Sequence, residues 1–286
     1  MSNVDLSIPT HATGAAANFA AKHASNHDLA FYGGWFCPFV QRSWMVLHEK
    51  RIDHHYKEVN PYNKDPDGPN KEFLGLNPRG LIPTMAVPAR DGGGKVRPLY
   101  DSTIVSEYLD EEYADESKHG PRLFPTDPYE RARCRLWIDH INNKIVPGFY
   151  KFIQHTPEKT HSIDNARSEF LNHIRTLVRE MHPSGPWFLG ERFSMVDVML
   201  APWAMRLFLI DHYKPGGVGI PPPTKETGEL ETWSRWKTWF DAISERQSVK
   251  DTLSAREAYV ASYKRYAEDT TNSLVAQATR SGGRMP

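Results

Sequence analysis

A chain of 286 residues exceeds the usual span of one hydrophobic core and suggests two domains. Apolar residues make up 39% and aromatics 12%, and 35 basic and 35 acidic side chains cancel to a formal net charge of zero. That balance gives no electrostatic reason for a nucleic-acid or anionic-membrane partner, while only two cysteines, Cys37 and Cys134, exclude a disulfide framework and suit a reducing, cytoplasmic setting.

Residues 1–28 are small, polar and Ala-rich, without the apolar core of a signal peptide or the arginines of a transit peptide, and read as a flexible arm. No apolar run approaches the ~20 residues that span a bilayer. Leu29–Tyr32, ending at Gly33-Gly34, reads as a buried strand. Cys37-Pro38 then opens a helix to about Lys50, its apolar residues Phe39, Val40, Trp44, Val46 and Leu47 falling mostly on one face. His55–Val59 reads as a second strand, residues 60–70 as a loop, and Glu72–Leu76 as a short helix. Leu81–Val87 and Val96–Tyr100 flank Asp91-Gly92-Gly93-Gly94, which predicts a hairpin. Those glycines lead into no helix, so they do not read as a phosphate-binding loop. Asp101-Ser102 precedes a helical pattern at Ile104, Val105, Tyr108 and Leu109. A parallel unit joined to an antiparallel hairpin makes the first domain α/β with a mixed sheet.

Residues 117–128 turn to Pro, Gly and charge and read as a linker. Everything beyond, 129–286, reads as helix. The stripes Cys134, Trp137, Ile138, Ile141, Ile145, then Phe170, Ile174, Leu177, Val178, then Trp233, Trp236, Phe240, Ile243 keep helical spacing and read as core. Ser194–Asp197 resembles a capping box opening a helix Val196–Leu209. Residues 215–228 are Pro/Gly-rich and loop-like, and the polar C-terminal ~20 residues read as frayed.

Chemistry concentrates at Cys37. Proline is favoured at the first helical position, which puts Cys37 at the N-cap, where unpaired N–H groups and the positive helix end stabilise a thiolate. Arg42, one turn on, brings further positive charge. The competing reading is an inert small hydrophobe. Val40 stands where a dithiol oxidoreductase carries its second cysteine, so a modified Cys37 needs an external thiol for regeneration, a requirement that points toward glutathione. Cys134, on an apolar helix face, reads as structural. From the residues alone Ile82-Pro83 reads either as an ordinary trans proline at a strand edge or as a cis bond presenting Ile82 to an extended peptide. Asp101-Ser102 reads either as a helix cap or as an anchor for an amino acid's two charges. His54 and His55 face opposite ways on a strand and do not form a joint metal site.

Three ordered motifs, Phe36-Cys37-Pro38-Phe39-Val40-Gln41-Arg42, Asn77-Pro78-Arg79-Gly80-Leu81-Ile82-Pro83 and Tyr100-Asp101-Ser102, together with Ser194–Asp197, resemble the glutathione transferase superfamily over residues 29 to 265. The Cys-Pro-Phe start is similar to its omega and omega-like classes. The resemblance implies a thioredoxin-like glutathione-binding domain at 29–116, an all-helical domain at 129–286 that holds the second-substrate pocket, and a homodimer. It implies glutathione as co-substrate, no metal, and a mixed disulfide on Cys37, with Phe39, Lys64, Ile82, cis Pro83, Asp101 and Ser102 holding the tripeptide. Arg206, in Pro202–Arg206, and Tyr263 are the implied residues for a small hydrophobic or glutathionylated substrate. Deglutathionylation, S-glutathionyl ketone reduction and dehydroascorbate reduction are the implied reactions. Asp101 departs from the family's more usual Glu, which lengthens the reach to an amine. A carrier of small aromatic ligands is the alternative from another class. The intracellular chloride channel family shares the Cys-Pro-Phe start but lacks the acidic-Ser pair. Glutathionyl-hydroquinone reductases typically carry Trp where this chain has Phe39.

Overall fold

The computed structural model describes residues 11–90, 96–223 and 229–286. The chain forms two compact units, one of Met1–Arg122 with Gln247–Tyr259 and one of Leu123–Arg246 with Val260–Pro286.

In the first unit, β1 (Ala30–Gly33), α2 (Pro38–Glu49) and β2 (His55–Glu58) form the parallel βαβ unit that the apolar runs predict. α3 (Lys71–Leu76) follows, then the antiparallel pair β3 (Thr84–Pro88) and β4 (Val96–Tyr100), and finally α4 (Ser102–Glu112) and the short α5 (Glu116–His119). Strand order is β2-β1-β3-β4, with β1 and β3 antiparallel, so the sheet is mixed and the thioredoxin-like α/β architecture is present. The hairpin's Gly-rich turn lies outside the described residues. α2 and α4 cover one face of the sheet, joined by Ser43 Oγ to Ser106 Oγ at 3.1 Å. On the opposite face Ala30, Tyr32, Phe73 and Ala86 form a smaller core under α3.

Two segments differ from the sequence reading. Residues read as part of a flexible arm form a helix, α1 (Gly14–Lys22), with Ala16 and Phe19 buried. Alanine favours helix intrinsically, but one large apolar residue leaves no periodic pattern, and so short a helix is held by its contacts. Those contacts are specific: Ala12 N–H donates to Glu58 Oε1 at 2.8 Å, Thr13 N–H to Ser254 Oγ at 3.1 Å, and the Phe19 ring lies 5.6 Å from that of Trp44. The second segment is 247–259, which periodicity assigns to the helical domain. It contains α12 (Gln247–Asp251) and packs in the first unit. Gln41 Nε2 donates to Thr252 Oγ1 at 3.3 Å, and His48 Nε2 meets Asp251 Oδ2 at 2.9 Å.

The second unit is all helical: α6 (Pro128–His140), α7 (Val146–Ile153), α8 (Ile163–Glu180), α9 (Met195–Ala204), α10 (Leu207–Tyr213) and α11 (Leu230–Glu245), with most of α13 (Arg256–Ala267) and α14 (Leu274–Ser281). The expected stripes are buried at Cys134, Ile138, Phe170, Ile174, Leu177, Val178, Trp233, Trp236 and Ile243, and Trp239 is interior where Phe240 was expected. Three corrections apply. Residues 141–145 are π-helical, a local widening that an even period does not foresee. The helix expected over Val196–Leu209 breaks at Met205-Arg206, so that α9 ends at Ala204 and α10 begins at Leu207. The C-terminal stretch is not frayed throughout: α14 is tied down by Arg280 Nη1, which donates to Asp269 Oδ1 and Thr271 O at 3.0 Å each.

The capping box is real and doubles as a core polar cluster. Asp197 is fully buried, and its carboxylate accepts from Ser194 N–H, Ser194 Oγ, Phe188 N–H and Trp239 Nε1 at 2.7–2.9 Å. Burial pushes its pKa up, and these four donors oppose the rise. Among the described residues no helix is long and apolar enough to cross a membrane.

Candidate functional site

Cys37 is the N-cap of α2, in extended conformation with φ −85° and ψ 119°, followed by Pro38 in the first turn. The strand-to-helix turn closes through Cys37 N–H, which donates to Gly34 O at 3.0 Å, and the first helical bond runs from Gln41 N–H to Cys37 O at 3.2 Å. The side chain is half-buried. A half-buried sulfur at a helix start faces both unpaired N–H groups and solvent, which suits a reactive thiolate.

Opposite the sulfur lies the segment before β3. Ile82–Pro83 is cis, and Cys37 Sγ stands 4.0 Å from Ile82 O. The loop shape comes from Asn77, fully buried, whose amide donates to Leu81 O at 3.1 Å and Thr84 Oγ1 at 3.0 Å. Gly80 has φ +58°, a conformation in which a Cβ would stand 2.2 Å from Lys64 Nζ. Lys64 fills that position and donates to Arg79 O at 3.0 Å and Gly80 O at 2.5 Å, its pKa lowered by burial.

Sheet register brings in the third motif. Tyr100 pairs with Thr84, and Thr84 also pairs with Tyr32, so Asp101, Pro83 and the loop to Cys37 gather at one end of the sheet. Asp101 has φ +77°, and its Oδ1 accepts from Thr103 N–H at 2.8 Å and Ile104 N–H at 3.3 Å. It is therefore the N-cap of α4, and exposed. Ser102 is buried, and its Oγ accepts from Arg42 Nη1 at 3.2 Å. Arg42 itself is fully buried, with its guanidinium 5.5 Å over the Phe39 ring.

The remaining predicted residues lie in the second unit. Arg206 caps α10, is fully buried and donates through Nη1 to Pro202 O at 2.7 Å. Tyr263 is buried with its ring 5.4 Å from that of Tyr266. Cys134 is buried, and its thiol is pushed up to about 12 by burial and then by the charge of Asp197, which leaves it protonated and inert. His54 and His55 do face opposite ways: His54 is buried and stacks on His23 at 4.1 Å, while His55 lines a cleft of about 400 Å³ with Lys57, Glu72 and Val96.

Sequence reasoning missed Tyr56 and Tyr259. Tyr56 is buried with its ring stacked on that of Trp44 at 4.4 Å, and Tyr259 OH accepts from Ser254 N–H at 3.2 Å and donates to Trp35 O at 3.4 Å, bracing the loop that carries Cys37. The alternation His54-Tyr56 on an inward strand face was the available signal for the first. No local pattern marks the second.

Comparison with known proteins agrees with this geometry. Residues 36–112 match the model of the glutathione S-transferase N-terminal domain, and residues 160–242 that of the C-terminal domain. Glutathione S-transferase omega-1 of Sus scrofa is 33% identical over 181 residues, covering 63% of this chain and 67% of the relative. Glutathione S-transferase U26 of Arabidopsis thaliana is 30% identical over 176 residues, 62% of this chain and 71% of the relative. The crystal structure of glutathione transferase Omega 3C from Trametes versicolor superposes with a TM-score of 0.74 at 37% identity, covering 90% of this chain and 97% of that one. A mixed-sheet domain with its half-buried cysteine at a helix start, an all-helical unit and these relatives agree: the chain belongs to the glutathione S-transferase family, in its omega class.

Proposed function

We propose that this enzyme is a glutathione-dependent thiol transferase in which Cys37 is the nucleophile. The observation that carries the reading is a single half-buried cysteine at a helix start, opposite Ile82 O, with Val40 where a resolving thiol would stand. The Cys37 thiolate attacks the glutathionyl sulfur of a mixed disulfide, forming Cys37–S–S–glutathione and releasing the substrate thiolate. A second glutathione thiolate attacks the glutathione sulfur, forming oxidised glutathione and restoring Cys37. Deglutathionylation and the reduction of S-glutathionyl ketones and dehydroascorbate are the proposed reactions.

The tripeptide lies along the loop before β3, its cysteinyl backbone pairing with Ile82 beside cis Pro83, with Phe39 and Lys64 lining the site. Asp101 and Ser102 hold the γ-glutamyl end. Asp101 Oδ1 caps α4, which leaves Oδ2 for the amine; Ser102 Oγ already accepts from Arg42, so its own proton goes to the carboxylate. Arg206 and Tyr263 are assigned to the second-substrate pocket. A homodimer fits the exposed apolar side chains Tyr100 and Ile104, 43% and 52% accessible, and two free cysteines suit a reducing compartment such as the cytosol.

Intact-mass spectrometry after incubation with oxidised glutathione tests the chemistry. The expected product is one adduct on Cys37, removed by reduced glutathione and absent in Cys37→Ser. An unmodified Cys37 overturns the proposal. Retention of aromatic-ligand binding with no turnover in the parent enzyme favours the carrier reading instead.

A further inference from the structure

Two consecutive residues in the second turn of α2 take hold of the first residue of α4. Arg42 Nη1 donates to Ser102 Oγ at 3.2 Å, and Ser43 Oγ donates to Ser102 O at 3.3 Å. Ser43 Oγ also lies 3.1 Å from Ser106 Oγ, one turn further along α4. All four side chains are buried. One turn before Arg42, the Phe39 ring packs against the guanidinium, 5.5 Å from its centroid. Ser102 is thus gripped at its hydroxyl and at its peptide by the helix that begins at Cys37.

Donor chemistry gives this grip a direction. A guanidinium has donors and no acceptor, so the Ser102 hydroxyl is the acceptor toward Arg42 and turns its own proton to another group. A bond accepted from a cation also polarises the O–H and strengthens it as a donor. A serine hydroxyl left to rotate would lose that freedom on binding a ligand, at a cost in affinity. Here the rotation is restricted before any ligand arrives.

We propose that Arg42 and Ser43 are positioning residues for glutathione, holding the Ser102 hydroxyl with its proton directed at the γ-glutamyl carboxylate. The clamp runs from α2 to α4, so the helix that carries the reacting sulfur at its cap also fixes the anchor at the far end of the tripeptide. Seating the γ-glutamyl end then sets where the glutathione sulfur meets Cys37. The inference rests on the reading that Ser102 holds the γ-glutamyl end.

Arg42→Lys keeps the positive charge and removes the forked donor. The probe is S-methylglutathione, which carries the γ-glutamyl end and cannot form a disulfide. Its Kd is read by titration calorimetry on the full chain, with steady-state kinetics and thermal melts in parallel. Ser102→Ala is expected to weaken binding about tenfold, the size of one lost hydrogen bond to a charged group. Arg42→Lys is expected to weaken it about fivefold and Ser43→Ala about threefold, with KM for glutathione rising and kcat changing less. In the Ser102→Ala background Arg42→Lys is expected to weaken binding no further, because the hydroxyl it orients is gone. An Arg42→Lys factor that persists undiminished in that background overturns the proposal, since the guanidinium then acts by another route. So does a fall in kcat at constant KM and Kd, which places Arg42 on the sulfur. If Arg42→Lys does not fold, Ser43→Ala decides, and an unchanged Kd in it overturns the proposal. An unchanged Kd in Ser102→Ala refutes the γ-glutamyl reading itself, whereas a weakened Ser102→Ala beside an unaffected Arg42→Lys refutes the clamp alone.

Discussion

Asp101 shows how much one residue in the site does. Its φ of +77° is costly for a non-glycine side chain, roughly 1–3 kcal/mol, and the two hydrogen bonds it accepts at the start of α4 offset that cost. The same backbone bend delivers Ser102 to Arg42. Capping requires only an acceptor, whereas holding an amine requires charge, and substitution separates the two. Asp101→Asn is expected to keep the melting temperature, because Asn caps as well as Asp, and to raise the KM for glutathione about tenfold, the equivalent of ~1.4 kcal/mol. Asp101→Ala is expected to lose about 1 kcal/mol of stability in addition. Equal KM values for parent and Asp101→Asn would remove Asp101 from the γ-glutamyl site.

Among the elements, α1 and the start of α9 are the most exposed to a single change. α1 is anchored by Phe19, whose ring sits 5.6 Å from that of Trp44 and 5.0 Å from that of His48. Phe19→Ala is expected to destabilise by about 3 kcal/mol, since a large buried ring is replaced by a cavity, and to increase proteolysis near residues 14–22. Urea melts with and without the substitution check this. At α9, Asp197→Ala strips the acceptor from four buried donors. A loss of about 3–5 kcal/mol is expected, larger than for an exposed cap because the orphaned donors have no access to water. A melting temperature within two degrees of the parent would contradict the buried-acceptor role.

For the whole molecule, acid is the expected weakness. Burial lowers the pKa of His54 from 6.5 to about 3 and lowers that of His23, which stacks on it. A depressed folded-state pKa means the unfolded chain takes up a proton that the native state refuses. The stability from the neutral pair is therefore complete above pH ~6.5 and falls as the pH drops toward 3. For His54 alone the loss reaches on the order of 4 kcal/mol at the bottom of that window. Melts from pH 7 to 4 are expected to show this decline, and His54→Phe should flatten it; a parent protein equally stable at both ends would contradict the assignment. Assembly is open to an equally direct measurement: if the proposed homodimer forms through the face that carries Ile104, sedimentation of the parent gives a dimer and Ile104→Lys shifts the profile toward monomer.

The reach of sequence and of structure divides along a physical line. Local covalent and hydrogen-bonding rules were enough for the strands, the Cys37-Pro38 helix start, the acidic cap before α4 and the burial of Cys134, because each depends on neighbours within a turn or two. Residues gathered at the sheet end were legible only through the resemblance, since strand register sets them together. The orientation of Arg42 toward Ser102, the helix α1, the return of 247–259 to the first unit and the bracing of the Cys37 loop by Tyr259 were decided by tertiary structure alone. They arise from contacts between residues up to 242 positions apart. Cys37, Pro38 and Val40, neighbours in sequence, therefore carry the proposal of a reactive sulfur, whereas the cis bond at Ile82–Pro83 and the 4.0 Å approach of Ile82 O to that sulfur depend on how the fold brings distant segments together.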